Sequence, residues 1–287
     1  MEPLGFVSGE KVGGMRASIW AAGLVLLGLG PASGEGLRAL VTADDTKGWE
    51  AVGRLDIGLD GFCTGALIAP DVVLTAAHCL FDPETRARIG EDEIQFLAGF
   101  RNGRATAYRS VRRAVIHPDY VYTGPEGADH VHVDVALIAL DRPVRNTSVV
   151  PFETAARPRK GDAVQVVSYA HDRASRPSIE DACHILGRPA GTLVMSCDVD
   201  FGSSGAPVFA VSDGVARIVS VVSAKAEIDG RRVSLGTRLD GILPELEAAL
   251  DNPAPQTGTA TASMPEPVRA EGPGSAGGRL GAKFLRP

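Results

Sequence analysis

Between residues 52 and 237 the chain is a succession of short runs rich in valine, isoleucine, threonine and leucine, broken by glycine, proline and aspartate. This rhythm constrains the fold more than any other feature, because branched side chains suit a pleated, half-buried surface and the breakers mark turns. The runs predict strands over 52–57, 64–68, 72–75, 94–98, 107–116 and 134–140, then over 163–169, 192–196, 206–211, 216–223 and 232–237. Asp213-Gly214 and Asp229-Gly230 fall between strand runs, where such dipeptides favour tight hairpins. An all-β protein is expected. The Pro- and Arg-rich stretch 143–160 separates two sets of strands and reads as the connection between a domain at 35–150 and another at 151–250.

The ends read differently. Arg16 precedes an apolar run at 19–30, followed by small residues from Ala32 to Gly34, the pattern of a cleaved signal peptide. Met15 stands immediately before Arg16, so 1–34 is read as a leader with an over-long start. The competing reading, an uncleaved anchor, is disfavoured because the run is short for a membrane span. Ile242, Leu243, Leu246 and Leu250 recur at helical spacing, which predicts a helix over 240–250. From 251 to 287 proline, glycine, alanine, serine and threonine dominate without periodicity, and a disordered tail is expected.

Three segments carry chemistry. Leu74-Thr75-Ala76-Ala77-His78-Cys79 ends an apolar strand run on a histidine, and Gly202-Ser203-Ser204-Gly205-Ala206-Pro207 sets a serine in a glycine-bracketed turn. Asp134 opens an apolar run, Val135-Ala136-Leu137-Ile138-Ala139-Leu140. A serine hydroxyl needs an adjacent base to take its proton, a third group to orient that base, and donors to hold the oxyanion. Here the chain resembles the trypsin-like (chymotrypsin-fold) serine peptidases, whose TAAHC, Asp-hydrophobic-Ala-Leu and GDSGGP segments match these three in the family's His, Asp, Ser order. The resemblance runs from about Trp49 to Leu250. It implies two six-stranded antiparallel β-barrels with a C-terminal helix and the active site in the cleft between them. It also implies His78 as general base, Asp134 as its orienting partner, Ser204 as nucleophile, and the N–H groups of Gly202 and Ser204 as oxyanion hole.

Four cysteines allow three pairings and fit an oxidising compartment. The resemblance implies Cys63 with Cys79, bracketing the strand that delivers His78, which leaves Cys183 with Cys197 to tie the segment leading into Ser204. In the chain-entropy picture, closing loops of this length contributes about 3 kcal/mol each.

Two departures from the animal digestive enzymes matter. Ser203 stands where those enzymes carry an aspartate that pairs with a newly made N-terminal ammonium, and Ala39-Leu40-Val41-Thr42 after Arg38 does not resemble their new terminus. The similarity is rather to the bacterial glutamyl-endopeptidase-like branch, with activity independent of an inserted terminus. Asp198, six residues before Ser204, has the spacing at which trypsins bind a basic side chain, so a basic residue before the cleaved bond is the first expectation. Asp200 is equally near. Ser223 and Lys225, at the end of a strand that should line the pocket, offer the opposite: Lys225 would favour acidic residues or pair with Asp198.

Two rivals compete with this reading. If extended, Asp129-His130-Val131-His132-Val133-Asp134 would put His130, His132 and Asp134 on one face, a fragment of a zinc site and so of a metal-dependent hydrolase. Alternatively the barrels serve as a non-catalytic binding module. His117 matches a family sequence ahead of the Asp134 run and is read as structural; His171 and His184 have no assigned role. With 29 basic and 35 acidic residues and a net charge of −6, nothing points to nucleic acid. The expectation is a secreted or periplasmic monomer acting on polypeptides, with no cofactor, no metal and no stable membrane insertion after signal cleavage.

Overall fold

The computed structural model describes residues 37–124, 130–200, 202–252 and 282–284. The expected leader at 1–34 and most of the expected tail at 251–287 lie outside the described residues. Strands β1 to β14 are numbered in chain order. The first barrel is built from β2 (Val52–Ile57), β3 (Gly61–Ala69), β4 (Val72–Thr75), β5 (Ile94–Ala98), β6 (Ala107–Ile116) and β7 (Ala136–Leu140). Its order is β2-β3-β4-β7-β6-β5, and β5 pairs back onto β2 to close it. Inward side chains of these runs, such as Leu55, Leu67, Leu74, Phe96 and Leu137, are fully buried.

The second barrel comprises β8 (Ala163–Ser168), β9 (Ser178–Gly187), β10 (Thr192–Met195), β11 (Pro207–Ser212), β12 (Val215–Ile228) and β13 (Arg231–Arg238). They follow the order β9-β10-β13-β12-β11-β8, and β8 pairs with β9 to complete the ring. Two six-stranded antiparallel barrels therefore stand as the resemblance implied. Short β1 (Arg38–Ala39) adds to β9, and β14 (Ala282–Phe284) adds to β12. At both predicted hairpins the Asp-Gly pair has positive φ at each residue, 53° and 76° at Asp213-Gly214 and 51° and 73° at Asp229-Gly230. Both φ signs are those of a type I′ turn, which matches the twist of the flanking strands.

Three differences from the sequence reading have physical causes. Strand β9 escaped notice because its register against β8 shifts between Val164 and Val166, so one extra residue interrupts the alternation around Asp181. Strand β12 runs on to Ile228, well past 223, because Lys225 and Glu227 are paired with β13 despite their charge. In the tail, Ala282–Phe284 forms a strand where only disorder was expected, held by ladder pairing that composition does not encode.

Helix α1 (Leu243–Asp251) starts later than expected and carries Pro244 in its first turn, where a missing N–H costs nothing. It follows the second barrel but packs on β6 and β7 of the first. Ile242, Leu243 and Leu246 are buried there. Arg113 of β6 donates from Nη2 to the Ala249 carbonyl at 2.8 Å and from Nη1 to the Leu250 carbonyl at 3.2 Å. These are last-turn carbonyls without helical partners, and a cation there also meets the negative end of the helix dipole. Arg113→Ala is expected to lower stability by about 1–2 kcal/mol, read as a lower urea midpoint at unchanged slope. Among the described residues no helix is long and apolar enough to cross a membrane.

Candidate active site

His78 lies in a 3-10 turn, Ala77–Leu80, that ends β4, and the Cys63–Cys79 disulfide ties this turn to β3. Asp134 follows a second 3-10 turn, Val131–Val133, just before β7, and β4 and β7 are neighbours in the barrel. The two side chains meet: His78 Nδ1 lies 2.7 Å from Asp134 Oδ2, and the His78 backbone N–H donates to Oδ1 at 2.8 Å. From the second barrel the Ser223 hydroxyl donates to Oδ2 as well. Ser223 can reach because β12 bulges there, its register against β13 shifting between Val222 and Ala224. The carboxylate thus accepts three hydrogen bonds while only 5% of its side chain is exposed.

The electrostatics follow from this. Burial alone would push the Asp134 carboxyl up, but the charge and N–H groups of His78 and the Ser223 hydroxyl hold it below the ordinary range. For His78, burial works downward; the adjacent carboxylate, through charge and hydrogen bond, outweighs it and raises the imidazole.

The backbone of Ser204 is tied to the first barrel. Thr64, fully buried on β3, donates from its N–H to the Ser204 carbonyl at 2.9 Å and from Oγ1 to the Gly202 carbonyl at 2.8 Å. Its Oγ1 also accepts the Tyr169 N–H at 3.0 Å, and its carbonyl accepts the Thr75 hydroxyl at 2.8 Å. One threonine therefore joins the serine loop of the second barrel to the strand that leads into His78. Gly205, at φ 74°, has no room for a side chain, because a Cβ would collide with the Thr75 hydroxyl and the Thr64 carbonyl. Among the described residues the Ser204 hydroxyl makes no hydrogen bond to His78, and the N–H groups of Gly202 and Ser204 donate to no protein acceptor. Gly202 has φ 93°, and a Cβ there would strike the Phe62 ring and the Ala170 backbone.

Ser203, fully buried, donates its hydroxyl toward Ser168 Oγ at 3.1 Å and the Tyr169 carbonyl at 3.3 Å. Neutral partners inside the barrel thus hold the residue that the digestive enzymes anchor with an ammonium.

Beside the serine loop lies a cavity of about 230 Å³ whose charged lining is Asp172, Arg173, Asp198, Asp200, Lys225 and Arg232. Both carboxylates singled out from the sequence are ion-paired: Asp200 with Lys225 at 2.8 Å and Asp198 with Arg232 at 3.8 Å. Lys225 therefore pairs with Asp200, not Asp198. Arg173 donates from Nη1 to Asp172 at 2.9 Å, while its buried Nε and Nη2 meet no acceptor among the described residues. Behind the cavity Glu180 accepts the Asp198 N–H at 2.8 Å. Burial pushes the Glu180 carboxyl up to about 7, so this region gains negative charge as pH rises through neutrality.

The rival zinc face does not form. Residues 131–133 are a 3-10 turn, not a strand, so His130, His132 and Asp134 lack a common face, and Asp129 lies outside the described residues. Among the described residues the one cluster of potential metal donors is Cys63, His78 and Cys79, whose two sulfurs are bonded to each other. A second disulfide joins Cys183 to Cys197. His117 is buried and its Nδ1 accepts the Asp119 N–H at 3.2 Å; His171 stacks on Phe62 at 5.0 Å, and His184 is exposed. Thr64, Ser168, Arg173 and Glu180 were not foreseen, since no local pattern marks a lone polar residue; the partner of Thr64 in the serine loop lies 138 positions away.

Comparison with known proteins agrees with this architecture. The profile of the trypsin-like peptidase domain matches residues 63–216, more than half of the chain. A modular serine protease of Drosophila melanogaster is 34% identical over 94 residues, 31% of this chain and 14% of that protein. Glutamyl endopeptidase of Bacillus licheniformis is 27% identical over 152 residues, 52% of this chain and 45% of the relative. The chain thus spans less than half the length of these curated relatives. Among solved structures, a Glu endopeptidase bound to MPD superposes with TM-score 0.62 at 17% identity, covering 75% of this chain and 96% of that one. The thermostable serine protease AL20 superposes with TM-score 0.58 at 16% identity, over 71% and 98% of the two chains. At such identities the superpositions show a shared fold, and together with the profile match they establish that this chain belongs to the trypsin-like peptidase domain family.

Proposed function

We propose that the chain is an exported serine endopeptidase that cleaves peptide bonds through an acyl-enzyme. The observation that carries the reading is the buried Asp134 carboxylate bound at 2.7 Å to His78 Nδ1. That bond leaves Nε2 as the ring nitrogen able to act as a base. In this mechanism rotation of the Ser204 hydroxyl brings it to Nε2, a contact that is often loose before substrate binds. Nε2 takes the proton as Oγ attacks the carbonyl and returns it to the leaving amine; water then enters by the same route. The free N–H groups of Gly202 and Ser204 receive the oxyanion. Two disulfides fit an oxidising compartment outside the cytosol. A fluorophosphonate probe followed by peptide mass mapping tests the assignment: a single adduct on Ser204 supports it, and an unlabelled folded protein would point to a binding module.

For the side chain before the cleaved bond, the basic preference suggested by Asp198 requires a desolvated, unpaired carboxylate, and Asp198 is 68% exposed beside Arg232. The same cavity presents Arg173, ion-paired through Nη1 to Asp172, whose buried Nε and Nη2 meet no acceptor among the described residues. We infer an acidic residue at this position, the preference that the name of the glutamyl endopeptidase relative states for that protein. In a fluorogenic peptide panel, glutamate is expected to exceed lysine. Arg173→Met is expected to cut kcat/KM for the glutamate peptide roughly 10–100-fold while leaving an alanine peptide near its original rate. A panel led by lysine or arginine would reverse the inference.

A further inference from the structure

Arg54 on β2 stands opposite Thr64 on β3, and Asp56 stands opposite Phe62, so these four residues share one face of the ladder. It is the face turned to the second barrel, because Thr64 donates from it to the Gly202 carbonyl. On this face the Phe62 ring is held in a stack. The Arg54 guanidinium lies over it at 5.0 Å and over the Phe100 ring at 4.9 Å, while the His171 imidazole stacks on it at 5.0 Å. Arg54 is fixed in turn by Asp56 and by the Ala174 carbonyl, to which its Nη1 donates at 3.1 Å. With 22% of its side chain exposed, the guanidinium is largely out of water, where attraction to a ring face is strongest.

The stack leans on Gly202. In the space that a Cβ would occupy there stand the Cε2 and Cζ edge of Phe62 and the Cα of Ala170. Glycine tolerates φ of either sign, so its own chemistry does not select the observed 93°. Its neighbours do. Thr64 fixes the Gly202 carbonyl, beyond the α-carbon, whereas rotation about the N–Cα bond is opposed at the α-carbon itself, by the ring edge and by Ala170. Given the peptidase reading, on which this inference rests, the Gly202 N–H is one of the two donors that receive the oxyanion, and such a donor acts only if it is aimed before the charge develops. We propose that Phe62, clamped by Arg54, is a positioning residue for the oxyanion hole: its ring edge holds Gly202 at positive φ and so keeps that N–H directed at the developing charge. Arg54 acts one step further back, by fixing the ring. The loss on removing either falls on the transition state, because the oxyanion depends on the donor more than the ground-state carbonyl does.

The test compares the full chain with Phe62→Leu, which stays apolar but loses the ring edge, and Arg54→Met, which keeps the length but loses the charge. Two inhibitors share one peptide sequence. The first is an aldehyde: Ser204 Oγ adds to its carbonyl carbon, the hydroxyl proton passes to His78 Nε2, and the former carbonyl oxygen becomes the oxyanion. The second is the corresponding alcohol, which forms no such charge. Phe62→Leu is expected to lower kcat roughly 10–100-fold, less than outright loss of a donor, with KM within about threefold. The aldehyde should weaken by the same factor and the alcohol bind as before; Arg54→Met should repeat the pattern at roughly 3–10-fold. In amide NMR spectra the Gly202 signal should be single in the original chain and broadened or doubled in Phe62→Leu. Unchanged kcat and aldehyde affinity in folded Phe62→Leu, or equal weakening of aldehyde and alcohol, overturns the proposal. If Phe62→Leu does not fold, Arg54→Met decides by the same two inhibitors. An original chain that cleaves no peptide and takes no fluorophosphonate on Ser204 overturns the peptidase reading and the oxyanion role together, whereas an active original chain beside indifferent variants overturns the role of Phe62 alone.

Discussion

Ser204→Ala is expected to lower kcat by about 10⁴-fold or more while leaving KM within a few-fold. The asymmetry follows from where the hydroxyl acts. In the proposed mechanism it forms a bond to the carbonyl carbon only on the way to the acyl-enzyme, whereas substrate binding falls to the charged cavity, which the substitution does not touch. Residual turnover would come from the oxyanion donors and binding alone. Because Ser204 is only partly buried and its side chain makes no hydrogen bond among the described residues, the fold should be indifferent to the change. An unaltered melting temperature beside lost burst kinetics would distinguish a missing nucleophile from a damaged loop. A loss of less than a hundredfold would place the nucleophile elsewhere.

Asp134→Asn should rank next, with kcat reduced by about 10³–10⁴-fold near neutral pH. The carboxylate accepts from the His78 backbone, from His78 Nδ1 and from Ser223. An amide has one acceptor oxygen for these three donors, and its NH₂ faces a donor wherever it points. The imidazole is then driven toward the wrong tautomer. The pH profile carries an independent signature. In the original chain Asp134 raises His78 above its ordinary value of 6.5, so activity, which needs the neutral ring, should decline as pH falls from above 6.5. With the charge removed, burial is left as the leading influence and lowers the imidazole, so the acid limb of kcat/KM moves to lower pH. A limb that stays in place would mean that Asp134 does not set the base.

Much of this was readable before any coordinates. Strands β2, β4, β5 and β6 fall on the runs that alternation picked out, because each presents one face to a core filled by its own branched and aromatic side chains. The pairing of His78 with Asp134 was legible through the family resemblance, and the structure supplies its cause: β4 and β7 are neighbours, which sets the end of the one beside the start of the other. What escaped was set by partners rather than by local pattern. Strand β9 hides behind a bulge and consecutive acids, and β14 sits in a composition that ordinarily stays unstructured. Asp198 had the spacing of a specificity determinant, yet its meaning depended on Arg232, contributed by another strand. Ser203 was read correctly as unable to form the ion pair of the digestive enzymes, while the hydroxyl and carbonyl that receive it could be named only after β8 was in place.

The grip of Arg113 on the end of α1 bears on how the polypeptide matures as it is made. The helix is translated after both barrels, yet the surface it covers belongs to the earlier one. A ribosome that stops anywhere before residue 243 therefore releases a product with a greasy flank on its N-terminal half. Such incomplete products expose apolar surface on β6 and β7 that chains synthesised through the helix keep covered.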